Sequence, residues 1–288
     1  MKYRFIKNHT HLFPVEKMCR ALKVRRGGYY AWLKRPLSKR TKENMILLKR
    51  IKDIHENSER RYGSPRITDQ LNDEGYSVSR PRVARIMSSN GISAVYKKKF
   101  KATTDSNHNY PVSPNLLEQN FFIDEPGKVW VSDITYIYTW EGWLYLTVII
   151  DLYNRMIVGW AMSKSLKASK TTIPALKHAY DRFKPAPGLI FHSDRGIQYV
   201  CNNFREQLSD FNMTQSMSAK GNCWDNAVAE SFFGTLKKEL VYRNTYKTRW
   251  EARQSIFKYI ETFYNRIRKH SYLGNKSPVQ FTEKKNAA

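Results

Sequence analysis

The sequence predicts an α/β protein: an N-terminal all-helical helix-turn-helix region, then a mixed-sheet domain, then C-terminal helices. Three observations carry this. Apolar residues recur at helical spacing through the first hundred residues, aromatic and β-branched runs begin after Lys128, and strands and helices then alternate. With 288 residues, 41% of them apolar, the chain is long enough for one large domain or two to three small ones.

Charge points to the partner. There are 50 Lys and Arg against 25 Asp and Glu, a net charge of +25, which suits a polyanion. Residues 1–100 carry 25 basic and 8 acidic side chains, so the helical third holds the larger share. Cys19, Cys201 and Cys223 make no CxxC pair, so neither a zinc knuckle nor a disulfide framework is indicated. No apolar run reaches the roughly 20 residues of a membrane span, and the opening lacks a signal-peptide core, so a cytoplasmic, nucleoid-associated protein with no membrane partner is expected.

Residues 14–33 predict two short helices about a turn, with Val15, Met18 and Leu22 on one face, and Gly27 and Gly28 weakening the second. Residues 42–57 predict a helix packed through Ile46, Leu47, Ile51 and Ile54. Residues 64–91 repeat the helix pair more clearly: Ser64 and Pro65 start the first helix, Gly75 stops it, and a second helix from Ser79 and Pro81 buries Val83, Ile86 and Met87. Its other face shows Arg80, Arg82 and Arg85. The second helix of a helix-turn-helix enters the major groove, so these arginines are DNA-binding candidates; a solvated basic hairpin would show the same spacing.

A lysine run and three prolines break the pattern from Lys97 to Lys128, which predicts a linker. VWVSDITYIYT, WLYLTVIID and MIVGWAMS then predict three antiparallel strands. A helix over about 169–183, a strand at 189–194, a helix over 202–210, a strand near 212–216 and a long helix through Glu230 follow.

Three acids occupy unusual places in this plan. Asp133 lies inside the first strand, Asp194 ends the fourth, and Glu230 begins the long helix. A right-handed crossover sets the fourth strand beside the first, which would bring the acids together. Carboxylates converging without cations raise one another's pKa, and a divalent cation held by oxygen ligands removes the conflict. Mg²⁺, with Mn²⁺ able to replace it, in a two-ion site suits phosphodiester chemistry. Each acid also has a structural reading taken singly: a solvated strand residue, a turn residue, a helix-dipole partner. Asp151 reads as a turn residue and His192 as structural.

On the long helix, Ala229, Phe233, Leu236 and Leu240 share a core face, while Asn226, Gly234 and Lys237 lie within about 40° of Glu230. Asn226 and Lys237 are therefore further DNA-binding candidates; a solvated surface lysine is the alternative for Lys237. Gly234 suits either a close backbone approach by DNA or close packing on a neighbouring helix.

The Asp133, Asp194, Glu230 trio, with 35 residues between the last two, resembles the DDE signature of insertion-sequence transposases and retroviral integrases. VWVSDITYI, FHSDRGIQY, DNAVAESFFGTLKKE and YNRIRKHSYLGNKSP resemble the second-reading-frame transposase of insertion-sequence family three, over nearly the whole chain. The resemblance implies an RNase H-like catalytic core holding metal on those three acids, cleavage of element ends and strand transfer by the freed 3′-hydroxyl. It implies double-stranded DNA as partner, a homo-oligomer on DNA, and an upstream reading-frame product supplied separately or by frameshift fusion. The expected division is 1–40 a basic helix-turn-helix-like segment, 41–100 the helix-turn-helix region, 101–120 linker, and 121–288 the catalytic core with its helical tail. A metal-dependent nuclease that never joins ends, or a DNA-binding repressor, are the alternatives.

Overall fold

The computed structural model describes residues 1–94, 112–219 and 223–286. The chain opens with three short helices, α1 (Lys2–Asn8), α2 (Val15–Ala21) and α3 (Arg26–Lys34). They close around a small core of their own, Ile6, Met18, Cys19 and Tyr29. The sequence pattern missed α1, whose charges every few residues leave Ile6 as its sole buried side chain.

α4 (Lys39–Asn57) starts at Ser38, whose hydroxyl accepts from the Thr41 N–H at 3.1 Å. Its buried stripe is Leu47, Ile51 and Ile54, whereas Ile46, expected in the core, is exposed. α5 (Ser64–Asp73) and α6 (Arg80–Ser89) form the expected pair. Pro65 and Pro81 sit in first turns, where a missing N–H costs nothing, and Gly75 leaves α5 with φ +87°.

The sheet runs β1 (Val129–Thr139), β2 (Gly142–Asp151), β3 (Ile157–Ser163), β4 (Ile190–Ser193) and β5 (Thr214–Met217), in the order β3-β2-β1-β4-β5. β1, β2 and β3 are antiparallel; β4 pairs parallel with β1 and β5 parallel with β4. One face is covered by α7 (Thr172–Phe183), α8 (Ile197–Val200) and α9 (Asn202–Asp210), burying Trp130, Phe191, Tyr199 and Phe204. α10 (Ala227–Glu239) and α11 (Arg249–Lys258) cover the other, and α12 (Pro278–Asn286) ends the chain.

The expected linker divides. Residues 101–111 lie outside the described residues, while 112–120 run along the sheet edge. The Met217 N–H donates to the Pro114 carbonyl at 3.2 Å and the Leu116 N–H to the Ser216 hydroxyl at 2.9 Å, and Leu117 is buried. Proline hides this from a strand pattern, yet its carbonyl still accepts at a sheet edge.

The α4–α6 unit shares one core with the second face of the sheet. Buried polar contacts join them: the Tyr62 hydroxyl donates to the Ile267 carbonyl at 3.1 Å, and the Arg61 guanidinium lies 4.4 Å from the Phe263 ring centre. Glu239, at the end of α10, accepts from Arg66 at 3.3 Å, Arg268 at 2.9 Å and the Tyr259 hydroxyl at 2.9 Å. Burial would raise Glu239, but Arg268 and Arg66 outweigh it and hold the carboxyl below its usual value.

α7 lies unusually close to β3. A Cβ on Gly159 would come within 2.5 Å of the Ala175 carbonyl oxygen and 2.6 Å of the Ala179 Cβ. Gly159→Ala should therefore lower the urea-unfolding free energy by about 1–3 kcal/mol. An unchanged midpoint would contradict the close approach.

Candidate active site

The pairing of β1 with β4 ends at Ser132 opposite Ser193, so Asp133 and Asp194 are the next residues along two adjacent parallel strands. Val131 and Ile137 of β1 enter the core on the α10 side, and Asp133 shares their side by strand alternation. α10 brings Glu230 to that side in its first turn.

The two aspartates are each anchored by a neighbouring backbone N–H. Asp133 accepts from the Ile134 N–H at 2.7 Å, and Asp194 from the Gly196 N–H at 2.9 Å. A Cβ at Gly196 would meet the same Asp194 oxygen at 3.0 Å, which accounts for glycine in the SDRG turn. Beneath them, Ser132 donates to the Val148 carbonyl at 2.8 Å and meets the Tyr199 hydroxyl at 2.8 Å, fixing the β1 backbone.

The three acids repel one another. Burial and then Asp194 hold Asp133 well above the usual carboxylate range, with Glu230 adding to the effect and Lys237 opposing it. Burial raises Asp194 against the pull of the Gly196 N–H, and burial and then Asp194 raise Glu230. Asp133 and Asp194 are half-buried and Glu230 is exposed. Among the described residues no three ligating side chains close on one point: Asp133 and Asp194 form the inner pair, and Glu230 faces them within electrostatic reach. The donor set is all oxygen and its charge is uncompensated, which fits hard divalent cations.

Other expected residues fall in different places. Lys237 is half-buried, and its charge acts on Asp133 rather than on Glu230 beside it on the helix. Lys238 is exposed. Asn226, expected against DNA, is instead buried: its amide donates to the Ser132 carbonyl at 3.0 Å, because the start of α10 is tied to β1 there. Arg82 is taken up within the helical unit, donating to Glu43 and Asn44 at 2.9 Å each, and Arg85 donates to the Pro81 carbonyl at 3.1 Å while staying exposed. Arg80 is exposed.

Apart from the backbone of its own helix and its chain neighbours, nothing described lies within 4 Å of a Cβ placed on Gly234, so close packing on another helix does not explain that glycine. His192 is fully buried between the Ser216 and Ser218 hydroxyls at 2.9 and 3.3 Å, and burial lowers its pKa to about 4; it is a neutral structural group. Asp151 accepts from the Gly127 N–H at 2.7 Å and the Tyr153 N–H at 2.9 Å, shaping a turn.

Two residues near the acids escaped the sequence reading. Asp225, buried, accepts from the Ala219 N–H at 2.7 Å, Asn115 at 3.1 Å and Gln119 at 3.0 Å, drawing the start of α10 onto the strand-like 112–120 segment. Its signal was the carboxylate just ahead of the helix. Tyr136, in the half-exposed outer part of β1, has its pKa raised by burial and then by Tyr145, Asp133 and Asp194. Its period-2 position said only that it left the core.

The HTH-like domain family matches residues 42–100, and two Integrase core domain families match 124–223 and 230–285. Over all 290 aligned positions, covering 100% of both chains, the sequence is 42% identical to transposase InsF for insertion sequence IS3A of Escherichia coli K12. The chain belongs to the IS3 family of insertion-sequence transposases. The transposase is also 45% identical to the IS600 uncharacterized 31 kDa protein of Shigella sonnei, over 93% of this chain and 98% of that one. Among solved structures it is similar to the HTLV-2 integrase catalytic core domain in complex with magnesium, with TM-score 0.44, 18% identity and coverage of 54% and 96%. The simian T-cell lymphotropic virus intasome gives TM-score 0.47 and 16% identity, covering 80% of this chain and 73% of that one.

The transposase holds its acids at a cost to stability. Because folding raises their pKa values, the folded chain keeps protons that the unfolded chain has lost, so the contribution of these three acids to metal-free stability is most favourable below about pH 4 and falls as pH rises through the raised values. Asp133→Asn in chelator should therefore be more stable than wild type at pH 7, with a flatter decline. Parallel urea titrations from pH 4 to 8 check this, and a less stable variant with an unchanged slope would contradict it.

Proposed function

We propose that Asp133, Asp194 and Glu230 are the catalytic carboxylates with which this transposase cleaves the ends of its insertion sequence and joins them to target DNA. The observation that carries the assignment is the placement of Asp133 and Asp194 on adjacent parallel strands with Glu230 in their field, on one solvent-reaching side of the sheet. Buried acids used only for folding are answered by cations, as Glu239 is, or by several N–H donors, as Asp151 is. Among the described residues none of these three has a salt bridge, whereas Glu239, deeper in the same helix, has two.

The three carboxylates would hold Mg²⁺, replaceable by Mn²⁺. When bound, a pair of such ions activates an attacking oxygen and stabilises the one that leaves. The chain's own part is to fix where phosphate and nucleophile lie. The bond of Gly196 to Asp194 and the tie of Asn226 to β1 hold two of the acids' segments in place before DNA arrives. Lys237, beside the acids, supplies a positive charge for a neighbouring phosphate, and the open space at Gly234 lets a strand approach the helix backbone. Hydrolysis frees a 3′-hydroxyl, whose oxygen attacks a target phosphorus; the new P–O bond replaces the target's own P–O bond, with no covalent protein intermediate.

The helical region would bind duplex DNA, with Arg80 and Arg85 the exposed members of the expected trio. Target DNA, a homo-oligomer assembled on the ends and the upstream reading-frame product complete the set of partners, in the cytoplasm. Among the described residues, no helix is long and apolar enough to cross a membrane.

Labelled element-end duplex, target plasmid and Mg²⁺ provide the test. Wild type should yield joined products. Asp133→Asn, Asp194→Asn and Glu230→Gln should each reduce joining by at least about a thousandfold, the range for groups acting as a unit, while duplex binding persists. Near wild-type joining by any one variant would remove that residue from the centre, and cleavage without joining would make the protein a nuclease.

A further inference from the structure

A second polar site lies on the flank of α10, away from the acids. A pocket of about 410 Å³ opens there, with Ser231 and Thr235 on one side and Arg66, Arg155, Arg268 and His270 among the residues of the other. Three guanidiniums thus meet in one cavity. Glu239 answers two of them, at 3.3 Å from Arg66 and 2.9 Å from Arg268.

Arg155 is not answered. It is 7% exposed and forms no ion pair among the described residues. Its Nη2 donates to the Phe121 carbonyl at 3.0 Å and its guanidinium lies 3.9 Å from the Tyr272 ring centre, but its Nη1 has no acceptor. Asp151 acts on it only through its field; a buried guanidinium with an unused donor and no paired counter-ion is costly, and an anion removes both costs together.

His270 repeats the pattern. His270 Nδ1 lies 3.5 Å from Arg268 Nη1, and its Nε2 is buried with no partner. Burial, then Arg268 and Arg66, lower its pKa to about 2 against a backbone bond to Tyr264, so the ring is neutral. An unused Arg155 N–H and an unpaired His270 ring nitrogen therefore belong to residues of one cationic cavity, which has two hydroxyl side chains on its far wall.

We infer that this pocket seats a phosphate group, and that in the DNA complex the group is a backbone phosphate of the strand held at the three acids. The DNA source rests on the catalytic reading above; the phosphate chemistry does not. Ser231 follows Glu230 directly, about 100° around α10, and Gly234 lies on the helix surface between the acid's stripe and that of Ser231 and Thr235. Apart from the helix's own backbone and the residues adjoining Gly234, nothing described lies within 4 Å of a Cβ there, so the helix surface at Gly234 is open. A strand crossing α10 at Gly234 would reach both.

The test uses the full chain and inorganic phosphate by calorimetry in EDTA, so that no metal can bridge phosphate to the acids. Wild type should bind one phosphate saturably. Ser231→Asp and Thr235→Asp each set a carboxylate on the pocket wall without removing a buried group, and each should weaken phosphate binding tenfold or more. Ser169→Asp, the same charge change at an exposed serine outside the pocket, should leave it unchanged. One equivalent of end duplex should displace the phosphate, and Ser231→Asp should lower the salt slope of duplex binding by about one. Absence of saturable binding, or equal weakening in all three variants, would overturn the site. Phosphate that binds yet is not displaced by duplex would overturn the DNA source and assign the pocket to a free phosphate compound. No readout depends on turnover, so an Asp133→Asn that still joins ends and an empty pocket are separate failures.

Discussion

Two parallel strands force two carboxylates side by side, and this face of the sheet is organised around their repulsion. Register alone brings this about: once Ser132 lies opposite Ser193, Asp133 and Asp194 must be neighbours. In the folded chain both acids are held above their ordinary pKa values, by burial and, for Asp133, by the adjacent carboxylate. The surroundings hold the backbone still rather than neutralise the charge. Ser132 and Tyr199 lock β1 from below, and Gly196 fixes the Asp194 carboxylate in a turn where a side chain would crowd it. Local rules are broken where function resides, and the large cores on both faces of the sheet absorb the cost.

α10 carries the consequences across the molecule. Its first turn holds Glu230, its middle leaves Gly234 open, and its last residue, Glu239, is buried among Arg66, Arg268 and Tyr259. Arg66 belongs to α5, so the helical unit is docked on the same helix that bears Glu230. Removing one partner of such a buried pair costs about 3–5 kcal/mol. The DNA-binding and catalytic parts are therefore mechanically one body, which suits an enzyme that must hold an end while its phosphodiester is cut.

Much of this was legible from residue order. The period-2 runs after Lys128 gave the antiparallel β1–β2–β3 unit, and Gly75 and Pro81 marked the limits of α5 and α6, because these signals arise from local backbone preference. The acids stood out because each broke its local pattern. What remained hidden depended on contacts distant in sequence. Arg82 read as a groove contact, but Glu43 on α4 claims it; Asn226 read as part of the catalytic stripe, but the Ser132 carbonyl needed its amide. The 112–120 segment read as linker because proline erases alternation, yet it borders β5. The cavity residues Arg66, Arg155 and His270 are far apart in the chain, and no spacing rule joins them.

The central claim is that Asp133, Asp194 and Glu230 share metal. Anomalous diffraction from crystals of the transposase soaked in Mn²⁺ tests it most directly. A peak within about 2.0–2.2 Å of an Asp133 oxygen and an Asp194 oxygen, with Glu230 drawn into the same shell when DNA is bound, is the expected result. Mn²⁺ bound at other carboxylates, with the space between Asp133 and Asp194 empty at saturating ion, would contradict the account.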